Sequence, residues 1–176
     1  MSKVFKASCL FVLLFLFLSI VIAYITLSPC GVSKSSMNFG FIDIRGQRVN
    51  SAFLGDRRPT LVICFDPDCS ACEEELRGIS TDTSLLRNVN LLVVAESLPD
   101  PARLYFGKLP ALLQQHALMV IDSNGMAGRY FGRHVMPSTY LYTKNGILIR
   151  RWKGEVSRQA LDQIVLSILP KITHEH

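Results

Sequence analysis

The tightest constraint in this chain is the stretch Thr60-Leu61-Val62-Ile63-Cys64-Phe65, set off by Pro59. Apolar side chains fall on both faces of such a run, so as a strand it is buried on both sides. A strand of that kind lies inside a sheet covered by other layers, which predicts an α/β domain. Asn90 to Ala95 has the same look, and Ala117 to Ile121 is a shorter strand ending in the turn Asp122-Ser123-Asn124-Gly125. Phe39 to Ile44 and Gln47 to Val49 flank Arg45-Gly46 as a hairpin. Ser138 to Thr143 and Ile147 to Trp152, separated by Lys144-Asn145-Gly146, form an antiparallel hairpin. Helices are expected over Ser70 to Ile79 and over Asp100 to His116, the second interrupted or restarted at Pro110. A last helix, capped by Ser157, carries Leu161, Ile164, Val165 and Ile168 at i, i+3, i+4 and i+7 and is closed by Pro170. The sum is a mixed central sheet flanked by helices.

Composition locates a second segment. Hydrophobic residues make up 49% of the chain and charged ones 19%, more apolar than a domain wholly in water requires. The excess lies at the N-terminus, where Leu10 to Leu27 is apolar apart from Ser19 and Thr26, with no charge between Lys6 and Lys34. At 1.5 Å per residue a helix of that length spans about 27 Å, close to a bilayer core. Lys3 and Lys6 precede the run, which leaves the N-terminus cytoplasmic and the rest exported. Residues 1–29 therefore read as a signal anchor with one transmembrane helix, and 30–38 as a tether. Leu27-Ser28-Pro29-Cys30-Gly31 offers a second reading, a lipid on Cys30. Pro29 fits that pattern badly, and the segment's length favours the uncleaved anchor. A net charge of +5 without a basic run excludes a dedicated nucleic-acid binder.

Chemistry concentrates at Cys69-Ser70-Ala71-Cys72, where the buried strand gives way to a helix. At a helix start Cys69 meets free backbone N–H groups and the positive end of the dipole, which favour its thiolate, the nucleophilic form. Cys72, one turn later, lies within reach of a mixed disulfide formed at Cys69, so the pair can open and close without unfolding anything. A structural disulfide is the competing reading. A zinc site would need a second pair of ligands, which Cys9, Cys30 and Cys64 do not provide, so no metal is expected. Val135-Met136-Pro137-Ser138-Thr139 leads into the next strand. Pro137 there is either an ordinary bend or a cis-proline turn that offers the Met136 backbone to an extended substrate.

Taken together these motifs resemble the membrane-tethered thioredoxin-fold proteins of the TlpA/ResA/DsbE type, within the redoxin group. The residues that carry the likeness are Asp43-Ile44-Arg45-Gly46-Gln47-Arg48-Val49, Pro59 to Phe65, Cys69 to Cys72, Asp122 to Gly125, Tyr130-Phe131-Gly132, Met136-Pro137-Ser138-Thr139, Lys144-Asn145-Gly146 and Gly154, in the family's order. The resemblance implies a thioredoxin-like domain over 39–170 with a tail at 171–176, and thiol–disulfide oxidoreductase activity. It implies Cys69 as attacking thiol, Cys72 as resolving thiol and Pro137 as the cis-proline beside Met136, with no cofactor beyond the Cys69–Cys72 disulfide. It implies an extracytoplasmic (periplasmic) protein thiol or disulfide as substrate, often apocytochrome c in tethered relatives, and a membrane redox partner that recycles the pair beside the lipid bilayer.

Glu75, three residues after Cys72, matches an acid that tunes the thiols in some ResA-like proteins; as plain sequence it is equally a surface glutamate beside Glu73 and Glu74. Asp68 replaces the usual aromatic before the first cysteine and would raise the thiol pKa by repulsion. Ile63 stands where thioredoxin keeps a buried acid. A peroxidase would need threonine and proline where Asp66 and Val62 stand. Two alternatives stay open: a copper chaperone using the cysteines with His134, although such proteins space their cysteines by three residues, and a non-catalytic partner-binding module. His116, His174 and His176 indicate no function.

Overall fold

In the computed structural model, residues 17–19, 39–54, 58–132 and 135–169 are described. The expected anchor, tether and tail, with Cys9, Cys30, His134, Pro170, His174 and His176, lie outside the described residues, residues 17–19 excepted. Among the described residues no helix is long and apolar enough to cross a membrane.

The domain is built on one seven-stranded sheet in the order β2-β1-β5-β4-β3-β6-β7. The strands are β1 (Gly40–Asp43), β2 (Arg48–Asn50), β3 (Thr60–Phe65), β4 (Asn90–Ala95), β5 (Ala117–Ile121), β6 (Ser138–Tyr142) and β7 (Leu148–Lys153). The helices are α1 (Ser70–Ser80), α2 (Thr83–Asn88), α3 (Pro99–Lys108), α4 (Ala111–His116), α5 (Ala127–Tyr130) and α6 (Arg158–Ile168), with a 3-10 turn at Ser51–Leu54. β3, β4 and β5 are parallel to one another; the outer pairs are antiparallel, so the sheet is mixed.

β3 sits between β4 and β6 with every residue buried. Its alternate side chains feed two cores. Leu61, Ile63 and Phe65 pack on the face that also buries Leu76 and Ile79 of α1, Leu85 and Leu86 of α2, and Leu161 and Val165 of α6. Val62 and Cys64 pack on the other face with Phe39, Phe41, Phe131, Tyr140 and Tyr142. That second face is dominated by aromatic rings, such as Phe131 and Tyr140 with centroids 5.5 Å apart.

The elements missing from the sequence reading, α2 and α5, are short and held by carboxylates. Asp82 accepts the Leu85 N–H at 2.9 Å at the head of α2 and also receives Arg158 Nη1 of α6 at 3.5 Å. Asp122, buried at the end of β5, accepts the N–H groups of Met126 and Ala127 at 2.8 and 2.6 Å and so starts α5. A helix of four residues has no cooperative stability of its own. Asp122→Ala should therefore cost about 2–3 kcal/mol by stranding two N–H donors, and Asp122→Asn less, as read from equilibrium urea unfolding.

Candidate functional site

The turn after β3 is closed by local bonds. Asp66 Oδ1 accepts the Asp68 N–H at 2.9 Å, and the Asp66 carbonyl accepts the Cys69 N–H at 3.1 Å. Cys69 then occupies the N-cap of α1, where Ser or Asp is the usual choice; its Sγ accepts the Cys72 N–H at 3.1 Å. Cys69 and Cys72 form a disulfide with Cα atoms 5.2 Å apart. Cys69 is half-buried and Cys72 fully buried, so the sulfur that meets solvent first is that of Cys69. Asp68 is exposed on the rim of this turn.

Pro137 arrives at the same end of the sheet from the antiparallel strand. Cys64 pairs with Ser138, so Pro137 falls beside Phe65, the last residue of β3. The Met136–Pro137 peptide bond is cis. The Pro137 carbonyl is taken by the N–H of Gly154 at 2.9 Å, and Ser138 Oγ donates to the Val135 carbonyl at 2.7 Å. Gly154 has φ +81°, a conformation that a side chain would resist. Met136 is half-buried against the core cluster that holds Cys72, a cluster Cys69 also packs against, and Val135 stands out at 56% exposure.

The three glutamates of α1 separate sharply. Glu73 and Glu74 are exposed and paired with Arg77 at 2.9 and 3.0 Å. Glu75 is 2% exposed, on the inward stripe Cys72, Glu75, Leu76, Ile79. The surface-glutamate alternative for Glu75 does not hold. The signal was in the spacing, since i, i+3, i+4 and i+7 from Cys72 share one helix face. Its Oε1 accepts a hydrogen bond from Thr139 Oγ1 of β6, and its Oε2 accepts from the Val156 N–H at 3.4 Å. Burial pushes the Glu75 carboxyl up to about 7, with Glu155 adding repulsion and the two hydrogen bonds pulling the other way. Thr139 and Val156 were not singled out from sequence as partners of an acid; a hydroxyl at an inward position of a buried strand was the available hint.

Cys64 is buried on the opposite sheet face, and burial raises its thiol well above the ordinary value. Among the described residues no cluster of three His, Cys, Asp or Glu side chains is placed to hold a metal ion.

Against known proteins, the model of the thioredoxin-like domain family matches residues 49–168. The thiol:disulfide interchange protein DsbE of Escherichia coli strain K12 is 24% identical over 134 residues, covering 76% of this chain and 70% of that one. A secreted Mycobacterium tuberculosis disulfide oxidoreductase, homologous to E. coli DsbE, superposes with a TM-score of 0.65 at 15% identity, over 77% of this chain and 100% of its own. The MTB DsbF structure, in mixed oxidized and reduced forms, gives 0.66 at 17% identity, over 76% and 96%.

The buried carboxyl has a consequence for stability. Folded Glu75 titrates at about 7 against an ordinary 4.5, so between those values the folded chain binds a proton that the unfolded chain has released. Stability is then greatest below the ordinary value and falls by about 3 kcal/mol as pH rises through the folded one. Urea unfolding at a series of pH values should show this fall in the wild type and a flatter profile in Glu75→Gln.

Proposed function

This chain belongs to the thioredoxin-like family and is a thiol–disulfide oxidoreductase, and from that footing we propose that it reduces disulfides of exported proteins while held at the cell membrane by its N-terminal segment. The observation that carries the chemistry is the Cys69–Cys72 disulfide at the head of α1, with the half-exposed sulfur at the N-cap and its partner buried beneath.

In the reduced protein the Cys69 thiolate attacks one sulfur of a substrate disulfide. A Cys69–substrate S–S bond forms and the substrate's other sulfur leaves as thiolate, to be protonated by solvent. Cys72, as thiolate, then attacks Cys69 Sγ, which closes the intramolecular disulfide and frees the second substrate thiol. Two electrons and two protons end on the substrate, and the Cys69–Cys72 pair is left oxidised. A redox partner in the membrane restores the dithiol.

The extended substrate lies along the Met136–Pro137 edge. The Pro137 carbonyl is already engaged by Gly154, which leaves the backbone of Met136 to pair with the visitor. Exposed Val135 and half-buried Met136 supply apolar contact along this edge. Glu75 beneath Cys72 tunes the thiols, and Asp68 on the rim opposes thiolate formation at Cys69 by repulsion. The apolar run from Leu10 to Leu27, with Lys3 and Lys6 ahead of it, supports a single-pass anchor with the domain on the periplasmic side. The reducing direction and a place in cytochrome c maturation rest on the likeness to tethered relatives of the DsbE type.

Cys69→Ser should bring insulin-disulfide reduction down to the uncatalysed background; full activity in that variant would sink the proposal. Cys72→Ala should accumulate a mixed disulfide through Cys69, and identification of the captured protein names the substrate. Replacing residues 1–29 by a cleavable export signal should move the domain from the membrane fraction to the soluble one.

A further inference from the structure

Thr139 sits at 0% exposure in β6, two residues beyond Pro137. A hydroxyl so placed must find a partner or weaken the strand. Its cross-strand neighbours are Ile63 on β3 and Trp152 on β7, and neither side chain offers an acceptor. The acceptor comes from the helix layer instead, as Glu75 Oε1. Among the described residues the second carboxyl oxygen has only the longer contact with the Val156 N–H at 3.4 Å. The Thr139 hydroxyl is therefore the closer hydrogen-bond donor to this carboxyl, and it belongs to the same strand segment that presents Met136 to a substrate.

Among the described residues the groups that face Glu75 are few. From its own helix, Cys72 stands one turn away. Glu155, in the segment between β7 and α6, is the charge that acts on it, and it repels. β6 contributes the uncharged Thr139 hydroxyl, and α6 buries the apolar Leu161 and Val165 in the same core. β7 contributes Trp152 opposite Thr139, with the Arg150 guanidinium held 5.5 Å from the indole centroid. A negative carboxylate in this setting depends on its hydrogen-bond donors, and a bond to an ionised acceptor is the strong kind.

We propose that Thr139 is a positioning residue of the thiol chemistry: its hydroxyl fixes the Glu75 carboxyl beneath the cysteine pair and favours the ionised form. The inference rests on the oxidoreductase reading and on Glu75 acting on the thiols. Ile63 lies directly across from Thr139 in the sheet, so the β3 position that lacks an acid is served by one delivered from α1.

The test uses the reduced full chain in detergent, with the rate of iodoacetamide alkylation at Cys69 followed across the neutral pH range. Thr139→Val keeps the side-chain volume and removes the donor. It should move the inflection contributed by Glu75 upward by about one pH unit. Thr139→Ser, which restores the hydroxyl, should return the wild-type profile, and Glu75→Gln should lack the inflection. On the Glu75→Gln background Thr139→Val should add no further shift. A Thr139→Val profile that superimposes on wild type overturns the proposal, as does an equal shift on both backgrounds. Absence of the Glu75 inflection from the wild type overturns it too. Insulin reduction by the wild type is read separately: failure there removes the oxidoreductase reading itself, whereas a superimposable Thr139→Val profile in an active protein removes only the role of Thr139.

Discussion

A strand buried on both faces and paired on both edges gives a substrate no access along its length. β3 is such a strand, enclosed by β4 and β6 and by two cores. Its reactive group must be delivered at its end, where the chain leaves the sheet. The Asp66-Pro67-Asp68 turn does this within three residues, setting Cys69 at the head of α1. The rest of the site converges on that point because the sheet is mixed: β6 runs back beside β3, so its first residues and the loop before them arrive where β3 stops. The end of β7 then closes over the Pro137 carbonyl through Gly154. Three segments far apart in the chain are thus brought to one edge by strand direction alone.

The second physical theme is an acid placed where acids are costly. A buried carboxylate without a cation leans on hydrogen bonds, and a protonated one forgoes the charge. Glu75 sits between these limits, pushed by burial and held back by Thr139 and Val156. Glu73 and Glu74 show what the same side chain does one helix face away, where Arg77 pairs with both in solvent and nothing is at stake. The contrast within three consecutive residues marks Glu75 as a group whose environment has been arranged.

Much of this was legible in the chain, for reasons that differ by element. β3 and β4 match their expected limits because uninterrupted apolar runs bounded by a proline or polar residues leave little freedom. The break between α3 and α4 followed from Pro110, and the head of α6 from Ser157, whose side chain accepts the Ala160 N–H. α2 and α5 escaped because neither is long enough to show a period; each depends on a carboxylate whose role appears only when the chain is folded. At the site, the spacing of Cys69 and Cys72 and the strand-to-helix context were open to reading. The sequence alone holds Glu75 between two alternatives because three glutamates in a row obscure the stripe of Cys72, Leu76 and Ile79. Its partner Thr139 lies 64 residues away, a juxtaposition that no local pattern encodes.

The chain has one tryptophan. Trp152 stands across from Thr139 in the sheet, half-buried, with the Arg150 guanidinium over its ring. All indole absorption and emission of the protein therefore originates one strand from the hydroxyl that holds the carboxyl. The molecule carries its own optical probe at the place where strand, acid and thiol pair meet, and a spectroscopist needs to attach nothing to watch it.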